Sequence, residues 1–379
     1  MPYSITFLLP GHGQYPLGGY RVVYEYANRL AARGHHVTVI HPAILYTDTN
    51  LIDIPKKIVR YLQRRVDGSY RPIRWFKVDS RVQLKWTPSL APRYVRPSDV
   101  FIATAWQTAE WLGTYPPEMG KKLCLVYDFE HYMSADVLTQ KRIARAFAQP
   151  MKTIATSPAV AEMLGNCGAR DSAYIPSGID FEMFHMETSL DAIERNSIGF
   201  PARKEPFKGT EDAIRALGTV REQFDGCLRC WSFGGSKPRC IPDWVEYYER
   251  PSDVELRRLY NDSLIFVVPS HYEGWGLPGA EAMSCGAALV STDNGGVRAY
   301  AQDGCNALLS PPRNYDALSQ NILRLLTDSD LRLKLAKEGN KNIRQFTVKK
   351  AVDSLEQLIA EARCPEAVGV SQLCHSTGA

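Results

Sequence analysis

The sequence predicts an α/β protein of two domains, each built around a parallel β-sheet. Its 379 residues are too many for one hydrophobic core, and 45% hydrophobic with 23% charged residues is the composition of a globular chain. Strand–loop–helix patterns occur in both halves, since the apolar runs Tyr3 to Leu9 and Leu264 to Val268 each precede a loop with glycines and then a helix.

The first unit has the pattern of a βαβ fold. Tyr3 to Leu9 predicts a strand, about Tyr20 to Arg33 a helix, and Val37 to Ile40 the next strand. Gly18 and Gly19 at the helix start would let the backbone approach a phosphate or a sugar. Because the loop has no GxGxxG pattern, these two glycines alone favour a simple tight turn.

Residues 55–97 are strongly basic. They hold twelve lysines and arginines against Asp67 and Asp79, in a chain whose net charge is +4. Residues 55–66 predict an amphipathic helix with Ile58, Val59, Leu62 and Val66 on one face. Such a helix suits an anionic membrane surface, with Trp75, Phe76 and Trp86 near the interface, but a solvated face over an ordinary core remains an equal alternative. No nucleic-acid-binding module accompanies the basic residues, so we expect no nucleic-acid partner.

Acidic residues and a histidine follow the strand predicted at Lys122 to Val126. They are Asp128, Glu130 and His131. Ligands of open α/β sheets bind outside the carboxyl ends of the strands, so these side chains are candidates to reach a cleft. A lone histidine in a loop is more often without function, and His131 is therefore an open case.

The composition excludes several classes of protein. No apolar run approaches the roughly eighteen residues of a membrane span, and MPYSITFLLP has no basic region before its short apolar run, so it predicts a strand and not a signal peptide. The nine cysteines are scattered, and Cys227 with Cys230 lacks a second paired cluster, so we expect no metal site. This cysteine pattern favours the reducing cytosol.

The second half contains one cationic loop and one acidic segment. Arg203 and Lys208 follow a short strand at Asn196 to Phe200. Further on, Glu273 and Glu281 flank seven residues at a strand–loop–helix junction. The amides of such a junction suit a phosphate, and the carboxylates can accept hydrogen bonds from sugar hydroxyls.

The segment EGWGLPGAEAMSCG, from Glu273 to Gly286, resembles the signature of the GT4 family of retaining glycosyltransferases. The resemblance covers nearly the whole chain but is specific mainly from residue 203 onward. It implies the GT-B fold, in which two Rossmann-like domains face each other across a cleft and a C-terminal helix crosses back to the first domain. We expect domains at 1–172 and 173–344, a crossover helix at about 345–364, and a flexible tail at 365–379.

The same resemblance implies roles for individual residues. Arg203 and Lys208 match the basic pair that grips the donor diphosphate, Glu281 the group that binds the ribose, and Glu273 the group that binds the donor sugar. Other expected contacts are the backbone of Gly274, Trp275, Gly276 and Leu277 for the diphosphate, Gly18 and Gly19 on the facing loop, and Asp128, Glu130 and His131 near the acceptor.

The expected reaction is retaining hexosyl transfer from a UDP-, GDP- or dTDP-sugar to a glycan, lipid-linked or other hydroxyl acceptor, in cell-surface polysaccharide or glycoconjugate synthesis. No cofactor or metal is required. The expected location is the cytoplasm, with the inner face of the membrane as a peripheral site. The alternatives are a GT-B epimerase or phosphorylase, a Rossmann dehydrogenase, against which the missing GxGxxG counts, and a non-catalytic sugar-nucleotide- or membrane-binding module.

Overall fold

A computed structural model describes residues 2–46, 54–127, 130–192 and 194–363. They form two parallel sheets, one of seven and one of six strands, with helices on both faces of each sheet. Within these residues no helix combines the length and the apolar character needed to cross a membrane.

The first sheet has the strand order β3-β2-β1-β4-β5-β6-β7. Its central strands are short apolar runs that are buried on both faces, as parallel sheets require. The strands are β1 Ser4–Leu8, β2 His36–Ile44, β3 Gln83–Ser89, β4 Val100–Ala103, β5 Lys121–Val126, β6 Lys152–Ala155 and β7 Ser172–Tyr174. The helices of this half are α1 Gly18–Ala32, α2 Ile54–Asp67, α3 Trp106–Gly113, α4 Glu130–Ser134, α5 Val137–Phe147 and α6 Pro158–Asn166.

The second sheet has the strand order β10-β9-β8-β11-β12-β13. Its strands are β8 Ser197–Pro201, β9 Arg229–Gly234, β10 Val245–Glu249, β11 Ser263–Val268, β12 Ala288–Thr292 and β13 Leu308–Ser310. The helices that follow in this half are α7 Thr210–Gln223, α8 Asp253–Asn261, α9 Leu277–Ser284, α10 Tyr315–Thr327 and α11 Ser329–Ile343, and the chain continues into α12 Val348–Arg363.

The last helix returns to the first half of the molecule. Val352, Leu355 and Ile359 of α12 are buried in the same core as the inner face of α1. At the rim, Arg33 Nη2 lies 2.5 Å from Asp353 Oδ1. The predicted crossover helix is therefore confirmed. The strand Ser172–Tyr174 includes the predicted domain boundary and pairs with the first sheet, and the domain limits themselves stay a prediction.

Two edge strands were not predicted from the sequence. β3 pairs with β2 at one edge of the first sheet, and β10 pairs with β9 at one edge of the second. Tyr247 and Tyr248 lie in β10 and do not line the central cleft. A half-exposed edge strand is difficult to recognise because its sequence resembles a loop with aromatic residues.

Candidate active site

A cleft of about 1600 Å³ lies between the two halves and is lined by residues of both. A pocket for a single drug-sized ligand typically has about 300–1,000 Å³, so this cleft has room for more than one ligand. Arg203, Lys208, Glu273 and Glu281 line it from the second half. Gly18 and Gly19 line it from the first half. The structure therefore brings most of the predicted site residues together around one cavity.

The wall of the cleft that belongs to the second half is formed at a topological switch point of its sheet. β8 and β11 are adjacent parallel strands, and the helices that follow them, α7 and α9, pack on opposite faces of the sheet. Two loops consequently leave the carboxyl ends of neighbouring strands side by side, which is where open α/β sheets bind ligands. The loop after β8 carries Arg203 and Lys208, and the loop after β11 carries Glu273.

Arg203 is fixed by the end of β9. Its Nη1 donates hydrogen bonds to the carbonyl oxygens of Ala202 (3.0 Å) and Phe233 (2.9 Å), and its guanidinium lies 5.3 Å from the centre of the Phe233 ring. Thr210 Oγ1 holds the Arg203 backbone on both sides, accepting from its amide at 2.9 Å and donating to its carbonyl at 2.7 Å. The cation is thus held in the cleft wall before any ligand binds.

Lys208 and Glu273 connect the two loops by an ion pair. Lys208 Nζ lies 2.9 Å from Glu273 Oε2, and Ser270 Oγ donates to Glu273 Oε1 at 2.7 Å. Gly209, directly after Lys208, begins α7 with φ +66°, and a Cβ there would lie 2.0 Å from the Pro269 carbonyl oxygen. A glycine is required at this position because the two loops approach so closely.

The loop after Glu273 turns sharply into α9. Gly276 is the N-cap residue with φ +88°, a conformation that favours glycine, and Pro278 occupies the first turn. Tyr300 Oη donates to the Gly276 carbonyl at 2.8 Å, and the buried Trp275 ring lies 4.9 Å from the Tyr300 ring. The unpaired first amides of α9 and the positive end of its dipole therefore face the cleft that Leu277 and Pro278 line.

Glu281 is a buried carboxyl group, only 7% exposed, in the wall of the cleft. Tyr260 Oη donates to its Oε2 at 3.2 Å. Burial raises the pKa of Glu281 to about 7, while the positive charge of Arg21 and the hydrogen bond from Tyr260 act in the opposite direction. This shift in pKa follows from burial between distant elements, so local sequence patterns could not predict it.

Arg21 is a cleft residue that the sequence reasoning missed. It lies on α1 of the first half, yet its Nη1 is 2.6 Å from Asp253 Oδ1 on α8 of the second half. Its guanidinium also lies 5.3 Å from the centre of the Phe184 ring. The one available signal was its place three residues after Gly18, at the start of the helix that follows the first loop.

Gly18 and Gly19, which precede Arg21, differ in the space that their neighbours leave for a side chain. A Cβ on Gly19 would lie 2.0 Å from Cε2 of Tyr127, so packing against that ring leaves no space for a side chain. A Cβ on Gly18 would lie 3.6 Å from Cδ1 of Leu277, which is an ordinary contact across the cleft. Packing alone therefore accounts for Gly19, and contact with a ligand stays a prediction for both glycines.

The acceptor-side residues predicted after β5 are the part of the site that the structure does not place. Asp128 lies outside the described residues, and the side chains of Glu130 and His131 lie outside them as well. Within the described parts of the chain, no three His, Cys, Asp or Glu side chains are grouped as metal ligands, Cys230 is buried in β9, and Cys227 is exposed.

Comparisons with known proteins agree with this architecture. Residues 192–342 match the family model described as glycosyl transferases, group 1. The D-inositol 3-phosphate glycosyltransferase of Nocardiopsis dassonvillei is 28% identical over 231 residues, 53% of this chain and 53% of that protein. The chain thus spans about half the length of this relative.

Two solved structures show the same fold over nearly the full chain. The sucrose-phosphate synthase of Thermosynechococcus elongatus has a TM-score of 0.73 at 17% identity and covers 94% of this chain and 98% of its own. Anabaena HepE in complex with UDP-glucose has a TM-score of 0.71 at 17% identity, and the match covers 95% of this chain and 100% of the HepE chain. The predicted GT-B fold is confirmed, and the predicted resemblance to this class of glycosyltransferases is confirmed for residues 192–342.

Proposed function

We propose that this protein is a retaining hexosyltransferase that uses a nucleoside-diphosphate sugar and transfers the sugar to a hydroxyl acceptor. The observation that carries the proposal is the wall built from neighbouring loops, where Arg203 and Lys208 lie beside Glu273 and the amino end of α9. This wall offers cations and amides to a diphosphate and carboxylates to sugar hydroxyls. The complex of HepE with UDP-glucose supports a UDP-sugar as the first donor to test, with GDP- and dTDP-sugars as the alternatives.

Each group of the wall has one task in the proposed donor complex. Arg203 and Lys208, with the first amides of α9, bind the diphosphate oxygens. Glu281 accepts hydrogen bonds from the ribose hydroxyls, and Glu273 accepts them from the donor sugar. When the donor enters, Lys208 must exchange part of its pairing with Glu273 for the phosphate, so the ion pair holds both side chains near their working positions beforehand.

The proposed chemistry is attack on the same face of the sugar from which the diphosphate departs. The bond from the anomeric carbon to the phosphate oxygen breaks, the bond to the acceptor oxygen forms, and the acceptor proton passes to the departing phosphate. Glu273 is a poor nucleophile for a double displacement because Lys208 and Ser270 engage both of its oxygens. Arg203 and Lys208 stabilise the charge that grows on the diphosphate.

The test is acceptor-dependent release of nucleoside diphosphate. A thermal-shift panel of UDP-, GDP- and dTDP-sugars selects the donor, and product release is then measured with and without a panel of glycans. The proposal expects release only with an acceptor, and NMR of the product should show the anomeric configuration of the donor. Release by phosphate alone would indicate a phosphorylase, and donor binding without any transfer would indicate a non-catalytic binding protein.

A membrane surface is the proposed partner of α2. Ile58, Val59, Leu62 and Val66 are exposed on its outer face, from 49% for Ile58 to 90% for Val66, which favours the membrane interpretation over a solvated face above an ordinary core. The helix is held to the first half by its inner face, since Trp86 Nε1 donates to the Tyr61 carbonyl at 2.9 Å. A basic helix with an exposed apolar face suits the headgroup region of an anionic bilayer. We accordingly propose a peripheral position on the cytoplasmic face, in polysaccharide or glycoconjugate synthesis.

The aromatic residues near α2 do not share that surface. Trp75 Nε1 donates to the Gly13 carbonyl at 2.7 Å, and the rings of Trp75 and Phe76 pack against Tyr24. These contacts hold Trp75 and Phe76 on the core, and a place at a membrane interface stays a prediction for them and for Trp86.

A further inference from the structure

The wall of the cleft in the first half carries cations that have no role in the proposed donor complex. The segment from Arg71 to Ser80 lines the cleft opposite the wall built by β8 and β11. Its charged residues are Arg71, Arg74, Lys77 and Asp79. Asp79 does not neutralise the three cations, because both of its oxygens are bound by Arg81, at 2.9 and 2.6 Å.

Two of these cations have no charge partner. Within the described parts of the chain, the side chains of Arg74 and Lys77 make neither a hydrogen bond nor an ion pair, and both are exposed to the cleft. Among the described residues, the Arg71 side chain donates from Nε to the Tyr70 hydroxyl at 3.3 Å, and its guanidinium lies 5.5 Å from the centre of the Tyr70 ring. On the opposite wall, by contrast, Lys208 is already paired with Glu273.

The segment that carries the cations is held in place by its other residues. The amides of Trp75 and Phe76 both donate to the Pro72 carbonyl at 2.9 Å, which makes a compact turn. Asn28 of α1 donates to the Lys77 carbonyl at 2.9 Å and accepts from the Asp79 amide at 2.8 Å. Cations at every third position are thus presented from a fastened turn, which reduces the entropy lost when a ligand binds them.

We propose that the acceptor of the transferred sugar carries a phosphate group and that Arg71, Arg74 and Lys77 bind it. This inference rests on the proposed glycosyltransferase function and adds the chemical class of the second substrate. Arginine and lysine together suit a phosphate, since guanidinium donates bidentate hydrogen bonds and the ammonium adds a point charge. The volume of the cleft leaves room for such an acceptor beside the donor.

The phosphate can belong to a soluble sugar phosphate or to a lipid-linked sugar. In both cases the three cations would bind the same phosphate group. Binding is measured by titration calorimetry with UDP or the preferred nucleoside diphosphate at saturation, so that the donor site is occupied. The probes are glycerol, glucose, mannose and myo-inositol, each compared with its monophosphate. The lipid arm uses neutral phosphatidylcholine vesicles that contain a polyprenyl phosphate-linked sugar.

The double variant Arg74→Ser/Lys77→Ser is compared with Lys334→Ser/Lys337→Ser, which removes two exposed cations of α11 that do not line the cleft. We expect at least one monophosphate to bind about tenfold more tightly than its neutral parent, and the difference to vanish only in the cleft variant. A preference for the vesicle-borne form assigns the lipid source, and a preference for the free form assigns the soluble source.

Two outcomes would overturn the inference. They are equal binding of all phosphates and their parents by the wild type, and a preference for phosphate that survives in the cleft variant. Donor binding, measured in the same samples, distinguishes failure of the phosphate inference from failure of the proposed glycosyltransferase function. If the nucleoside-diphosphate sugar binds and is used with neutral acceptors alone, the glycosyltransferase proposal stands and the phosphate inference fails. If no nucleoside-diphosphate sugar binds, the proposed function itself fails.

Discussion

Arg21 Nη1 lies 2.6 Å from Asp253 Oδ1, and this ion pair joins the two halves of the molecule beside the buried carboxyl group of Glu281. Burial has the largest effect on the pKa of Glu281 and raises it. The positive charge of Arg21 lowers this pKa, and the negative charge of Asp253 raises it further. The protonation state of Glu281, the proposed ribose-binding residue on one wall, is therefore coupled to Arg21 on the other wall.

Donor affinity should depend on pH around neutrality. Glu281 must be ionised to accept hydrogen bonds from both ribose hydroxyls, and burial raises its pKa to about 7, so affinity should rise as the pH rises through this value. One unit below its pKa a carboxyl is about one-tenth ionised, so the dissociation constant of a UDP-sugar should be about tenfold higher at pH 6 than at pH 8. Calorimetry at several pH values measures this. Glu281→Gln should bind weakly at every pH, and a variant that kept the wild-type profile would refute the ribose assignment.

Substitutions in the Arg21–Asp253 ion pair should move this pH profile in opposite directions. Arg21→Gln removes the cation that favours the carboxylate, so the midpoint of donor binding should shift to higher pH. Asp253→Asn removes the neighbouring negative charge and should shift the midpoint to lower pH. Because both variants break the same ion pair, a purely structural role would move both midpoints alike. Shifts of the same sign, or none, would contradict the coupling.

Lys208 should matter most after the donor has bound. Its ammonium lies 2.9 Å from Glu273 Oε2, and in the proposed reaction it stabilises the diphosphate as the glycosidic bond breaks. Lys208→Met should lower kcat/KM by about 100-fold or more, the usual effect of removing one fixed group that stabilises a developing anion. Lys208→Arg keeps the charge and should recover part of the loss. Initial rates at saturating acceptor measure both variants, and unchanged rates in Lys208→Met would remove this residue from the mechanism.

Local sequence patterns were sufficient to predict the strands, helices and loops that form the cleft wall of the second half. The segment from Val267 to Gly286 combines a buried strand, glycines at the turn and a helix start, all of which depend on neighbours close in sequence. The apolar run Leu264 to Val268, which predicted a strand, lies within β11, Ser263–Val268.

The sequence could not show what depends on distant contacts. Arg21 and Asp253 are 232 residues apart, so nothing near either of them reveals the ion pair. The raised pKa of Glu281 has the same origin, because it follows from burial between elements that meet only in the folded chain. The edge strands β3 and β10 were missed because only one of their sides pairs with a neighbour, which permits polar and interrupted sequences.

The basic helix α2 should bind anionic bilayers. Replacing Lys56, Lys57, Arg60, Arg64 and Arg65 with serine removes about 1 kcal/mol of attraction for each cation near the surface, so the variant should no longer sediment with vesicles rich in phosphatidylserine. Lys334→Ser/Lys337→Ser is the control for loss of charge elsewhere. Equal sedimentation of the five-site variant and the wild type would remove the membrane as a partner of this helix.

The proposed function requires a diphosphate-linked sugar to lie between the two halves of the molecule, held by the loops after β8 and β11 of the second half. The most direct measurement is a crystal structure of the protein with the nucleoside-diphosphate sugar that gives the largest thermal shift. We expect the diphosphate to lie between Arg203, Lys208 and the first amides of α9, with the ribose on Glu281 and the sugar at Glu273. A nucleotide bound elsewhere, or one in the cleft with Arg203 and Lys208 turned away from its phosphates, would contradict it.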